Sequence, residues 1–115
     1  MTLDLSRFAA AMLILLGAAS PAFAADTVNL VLKDHRFTPA EVTVPAGERF
    51  SIMVTNQDDT PAEFESSDLR VEKIAAPGIT IKVIAGPLKP GTYKFFDDYH
   101  PDTASGTVTA TAPKP

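Results

Sequence analysis

From Val28 onward the chain alternates apolar and polar residues with a period of two. Val28, Leu30 and Leu32 interleave with Asn29, Val31 and Lys33, and Val42 with Val44 across Thr43. Phe50, Ile52 and Val54 repeat the pattern, as do Ile79, Ile81 and Val83, then Tyr93 and Phe95, and finally Thr107–Thr111. Successive side chains of a strand point to opposite faces, so each apolar set predicts one strand face that must pack against a second sheet. Punctuation falls at Phe37-Thr38-Pro39, Pro45-Ala46-Gly47, Asn56-Gln57-Asp58-Asp59, Pro77-Gly78 and Lys89-Pro90-Gly91. No segment carries a helical period. Short strands at this spacing predict an all-β domain, a Greek-key β-sandwich of about seven to eight strands. The connection between Asn56 and Gly78 is the least regular stretch, and a strand crossing between sheets with a ligand-bearing loop is expected there.

The pattern before Val28 is of another kind. Arg7 precedes the apolar run Phe8–Gly17, which is followed by Ser20-Pro21 and Ala22-Phe23-Ala24. A basic start, a short apolar middle and an Ala-x-Ala ending predict a secretory signal peptide over residues 1–24, cleaved near Ala24. The run is shorter than the roughly 20 apolar residues a membrane-spanning helix needs. Residues 25–115 then form one exported domain, placed in the periplasm, with Ala112-Pro113-Lys114-Pro115 as a frayed end.

Composition narrows the chemistry. There is no Cys, which excludes thiolate catalysis, zinc knuckles and iron–sulfur clusters and leaves the small core without a disulfide. Without Arg7 and Asp4, residues 25–115 hold nine of the ten Lys+Arg and thirteen of the fourteen Asp+Glu. Such mild acidity argues against nucleic acid as a partner, since binding it calls for a basic stripe. No glycine-rich phosphate loop or nucleophile elbow is present, and a chain this short offers little cleft for a hydrolase or transferase; no catalytic residues are assigned.

Three clusters concentrate cation-binding groups. In Glu63-Phe64-Glu65 an extended backbone sends both carboxylates to one side and Phe64 to the other. Like charges placed together repel unless a cation sits between them. A solvated edge strand is the ordinary alternative. In Phe95-Phe96-Asp97-Asp98-Tyr99-His100-Pro101 a strand runs directly into two acids and one of the two histidines of the chain. A capped turn with an exposed His is the alternative there. The third cluster places His35 at the end of the first strand, in Lys33-Asp34-His35-Arg36-Phe37, where a plain loop His would also fit. Glu72, next to Lys73, is expected to pair with that Lys or with solvent.

The succession Phe37-Thr38-Pro39, Val44-Pro45-Ala46-Gly47, Asn56, Glu63-Phe64-Glu65, Pro77-Gly78, Pro90–Phe95, His100 and Ser105-Gly106 resembles the cupredoxin family over essentially all of residues 28–111. Laid over the blue-copper pattern, the family's Cys falls on Asp97, its C-terminal His on His100 and its Met on Ser105, with its N-terminal His in the Ala62-Glu63 segment. A blue site needs a thiolate in a His₂Cys arrangement, and the oxygen donors found instead suit harder ions. The stretch from Glu63-Phe64-Glu65 through Val71-Glu72-Lys73-Ile74 to Gly86–His100 is similar to the small FtrB-type cupredoxin-like proteins encoded with bacterial iron permeases, and to the N-terminal domain of the periplasmic EfeO proteins.

That resemblance implies a periplasmic metal-binding protein of a high-affinity iron uptake system. It would take iron or copper as its ion and work beside a membrane iron permease and associated periplasmic proteins. A ferroxidase-like role, promoting Fe(II) oxidation before transport, is implied with it. The metal-ligating candidates are Glu63, Glu65, Asp97, Asp98, His100 and His35, and two acidic faces could share an ion across a homodimer. Two other readings stand beside this one: a copper-handling or electron-transfer cupredoxin with a non-blue site, and a metal-free interaction module whose acids dock on a permease.

Overall fold

A computed structural model describes residues 26–112; the expected signal peptide and the last three residues of the tail lie outside the described residues. The described residues form nine strands and no helix: β1 (Asp26–Lys33), β2 (Arg36–Thr38), β3 (Glu41–Pro45), β4 (Phe50–Asn56), β5 (Ala62–Ser66), β6 (Val71–Ala75), β7 (Thr80–Ala85), β8 (Gly91–Asp97) and β9 (Ser105–Thr111). They build a sandwich of a four-stranded sheet, β2-β1-β4-β7, against a five-stranded sheet, β3-β9-β8-β5-β6. β1 runs parallel to β4 and β3 parallel to β9, while the other pairs are antiparallel. A parallel neighbour cannot be reached by a tight hairpin, so the chain crosses between the sheets.

The period-two alternation is realised in burial. Leu30 and Leu32 of β1, Ile52 and Val54 of β4 and Ile81 and Val83 of β7 turn inward from the smaller sheet. Phe64, Phe95, Val108 and Ala110 meet them from the larger one. Phe37, Phe64 and Phe95 form an aromatic cluster with ring centroids 5.2–6.0 Å apart, and two of the three contacts are edge-on. Such geometry places the positive ring edge on a negative ring face.

Two expectations need correction. The count is nine strands, because Phe37-Thr38, read as a turn, pairs with β1, and because the segment from Asn56 to Gly78 is more regular than its composition suggests. That segment holds the β5–β6 hairpin, in register over Ala62↔Ala75 through Ser66↔Val71. Ile79 does not continue the inward set of Ile81 and Val83. It is exposed in a turn, where its N–H donates to the Ala76 carbonyl before β7 begins.

Candidate metal centre

The backbone sets one donor group on the outer face of the larger sheet. Phe64 is held in the core, so its neighbours Glu63 and Glu65 must point outward, and both are half-buried. Across the hairpin Glu65 lies opposite Glu72 and Glu63 opposite Ile74. Facing residues of paired strands share a side, so Glu72 joins the two acids of β5. Glu63, Glu65 and Glu72 each offer a carboxylate oxygen within 4.8 Å of the other two. Asp98 adds a fourth charge. Its backbone N–H donates to the Glu63 carbonyl at 2.9 Å, and its carboxylate repels those of both Glu63 and Glu65.

This crowding shows in protonation. The Glu63 carboxyl is raised above its ordinary value by loss of solvent first, then by the charges of Glu72, Asp98 and Glu65. The Glu65 carboxyl is raised by loss of solvent, then by Asp98 and Glu72. Among the described residues no Lys or Arg forms an ion pair with these acids; the charge-range contacts are His35–Asp58 at 3.9 Å and His100–Asp97 at 3.1 Å. Arg70 lines a hollow of about 230 Å³ beside Glu65 and Glu72 without forming an ion pair. Of the two expectations for Glu72, Lys73 or solvent, the second holds: Glu72 is exposed, and Lys73 donates from Nζ to the Lys82 carbonyl at 3.3 Å.

The second donor group is a pair of imidazoles. His35 and His100 stack with centroids 3.6 Å apart and planes 10° from parallel. His100 follows β8, and its Nδ1 lies 3.1 Å from Asp97 Oδ2. A carboxylate can only accept, so Nδ1 is the donor, and in the neutral imidazole the lone pair then lies on Nε2. Bracing of this kind, imidazole on carboxylate, fixes the tautomer of metal-ligating histidines.

Asp97, also expected among the ligands, is engaged in hydrogen bonds within the protein. It is fully buried, and its Oδ1 accepts from the N–H groups of Glu63 at 2.9 Å and Tyr99 at 3.0 Å while Oδ2 faces His100. Its oxygens are occupied within the protein. One carboxylate thereby ties the backbone of β5 to the His100 ring, and the two donor groups sit at the same end of the sandwich. Of the six residues singled out in the sequence, Glu63, Glu65 and Asp98 come together on the outer face, His35 and His100 stack at the pole, and Asp97 braces between them. Sequence reasoning passed over Glu72 because cross-strand register is not written in a Val-Glu-Lys-Ile tetrad. It also passed over Asp58, which read only as part of a turn.

This arrangement cannot house a blue-copper group, since the chain has no thiol and a carboxylate, engaged in three hydrogen bonds, stands in its place. It suits instead a hard ion on the carboxylates and a borderline ion on the imidazoles. A nine-stranded sandwich with a donor-bearing pole defines a cupredoxin-type protein. The sequence matches the cupredoxin-like domain family over residues 6–110, and the chain belongs to that family. It is similar to the uncharacterized protein RP394 of Rickettsia prowazekii (strain Madrid E), 47% identical over 81 residues that cover 70% of this chain and 65% of that protein. The match thus spans less than two thirds of the relative's length. Among solved structures it is similar to auracyanin A, a blue copper protein of Chloroflexus aurantiacus, at 16% identity and a TM-score of 0.69 over 76% of this chain and 100% of that one. A purple cupredoxin of Nitrosopumilus maritimus aligns at 18% identity and a TM-score of 0.58, covering 73% and 99%. At these identities the likeness concerns the fold.

Proposed function

We propose that the protein is a periplasmic metal-binding cupredoxin of a high-affinity iron uptake system. In this reading Glu63, Glu65 and Glu72 hold iron with Asp98 beside them, and the His100–His35 pair supplies nitrogen donors at the adjoining pole. The observation that carries it is the convergence of three carboxylates within 4.8 Å with no Lys or Arg paired to them. Anionic oxygens attract Fe(III) more strongly than Fe(II), so iron held there is more easily oxidised by an external oxidant such as dioxygen before delivery to a permease. That setting rests on the resemblance of the Glu63–His100 stretch to proteins encoded with iron permeases.

Equilibrium titration of the folded, metal-free protein with Fe(II), Mn(II) and Cu(II) tests the assignment. Glu63→Ala and Glu72→Ala should each weaken Fe(II) and Mn(II) binding at least about tenfold. Wild-type affinity in both variants removes the carboxylate site. A copper-handling reading is favoured by one observation, the stacked imidazoles. Under it Cu(II) affinity falls in His100→Ala and not in Glu72→Ala. In either case Cu(II) should give no intense thiolate charge-transfer band, because there is no sulfur ligand.

A further inference from the structure

The imidazole pair is held from both sides, and its second brace lies away from the family pattern. His35 occupies the two-residue loop of the β1–β2 hairpin, where Lys33 pairs with Arg36 and both Asp34 and His35 have positive φ, 51° and 56°. Both loop residues left-handed is the signature of a type I′ turn, which normally selects Asn-Gly or Asp-Gly. A His at the second position is unfavourable on its own, so something must hold it there. The carboxylate of Asp58 does so: Oδ1 accepts from the Asp34 N–H at 2.6 Å and Oδ2 from the His35 N–H at 3.0 Å. Both loop donors are satisfied by one side chain from the β4–β5 connection.

Asp58 is itself fixed. Its N–H donates to Asn56 Oδ1 at 3.0 Å, and the buried Asn56 amide donates to the carbonyls of Thr60 at 2.8 Å and Ala75 at 3.0 Å. The neighbouring Gln57 N–H donates to the Leu32 carbonyl at 2.8 Å. Rigid backbone at the end of β4 thus aims the carboxylate, the carboxylate sets the hairpin loop, and the loop lays His35 on His100. The 3.9 Å separation of Asp58 Oδ2 from His35 Nε2 is too long for a hydrogen bond, so Asp58 acts through the backbone of the turn and not through the ring.

We propose that Asp58 is a positioning residue for His35, holding the left-handed turn that stacks the His35 ring on His100. Its consequence for metal binding rests on the reading of these imidazoles as donors; the positioning does not. The test uses the metal-free protein and Cu(II) as probe, with folding of each variant verified by far-UV circular dichroism. In the wild type, nuclear Overhauser contacts should connect the His35 and His100 ring protons, and Asp58→Ala should abolish them. Cu(II) affinity should fall about tenfold in Asp58→Ala. It should fall no further in Asp58→Ala/His35→Ala than in His35→Ala alone, because Asp58 acts through His35. Asp58→Glu, which keeps two acceptor oxygens, should restore part of both signals. Ring contacts that persist in Asp58→Ala, or additive losses in the double variant, overturn the proposal. If His35→Ala leaves Cu(II) affinity unchanged, the donor role of His35 fails, while loss of the ring contacts in Asp58→Ala still supports the positioning role.

Discussion

Asp97 offers two substitutions that separate bracing from bulk stability. Removing the side chain with Asp97→Ala strips acceptors from the N–H groups of Glu63 and Tyr99 and the partner from His100 Nδ1. Hydrogen bonds to a charged group contribute about 1.5–3 kcal/mol each, so loss of the two backbone contacts alone costs about 3–6 kcal/mol. At about 4–8 °C per kcal/mol for a domain of this size, melting should drop by more than about 10 °C. Asp97→Asn is milder. Its amide oxygen can still serve both N–H groups, and the net cost is about 1 kcal/mol. The amide NH₂ then faces His100, which must answer with a lone pair on Nδ1 and carry its proton on Nε2. The tautomer inverts, and the nitrogen left free to bind a cation loses its lone pair. Urea denaturation gives the stabilities, and long-range ¹H–¹⁵N correlation spectra report which ring nitrogen is protonated. Equal destabilisation by Asn and Ala, or His100 protonated on Nε2 in the wild type at neutral pH, would refute the bracing argument.

Two further outcomes follow from the geometry. Because Glu63 and Glu65 titrate above the ordinary carboxyl value of 4.5, the stability they contribute is complete below it and is lost as pH rises through their folded values. Glu72→Gln, which removes one repelling charge, should raise the melting temperature of the metal-free protein at pH 7, by an amount that shrinks toward zero as the acids protonate. A constant difference from acid to neutral pH would contradict this. Gly106→Ala drives a methyl into the Ala40 carbonyl oxygen and Phe95 Cζ, with rigid backbone on one side and the core ring on the other. A loss of about 1–3 kcal/mol is expected from such overpacking, and an unchanged urea midpoint would show that the sheet yields more easily than the packing suggests.

The sandwich was legible because period-two alternation is a local property. Leu30, Ile52, Val83 and Phe95 announce their burial within three or four residues of sequence. Glu63 and Glu65 could be placed on one face for the same reason, with Phe64 opposite. The rest depends on contacts distant in sequence. Glu72 enters the carboxylate group through hairpin register, and Asp58 reaches His35 over 23 positions. For Asp97 the Phe-Phe-Asp-Asp string shows only an acid near a His; the two backbone donors and the imidazole that its oxygens face become visible in the fold.

The placement of β9 bears on how such a chain is made. β9, the last of the described strands, lies inside the five-stranded sheet, flanked by β3 and β8. Until Ser105–Thr111 is available, β3 has no neighbour in that sheet. Among the described strands, closure of this sheet therefore waits on β9, and pairings as remote along the sequence as β3 with β9 form slowly.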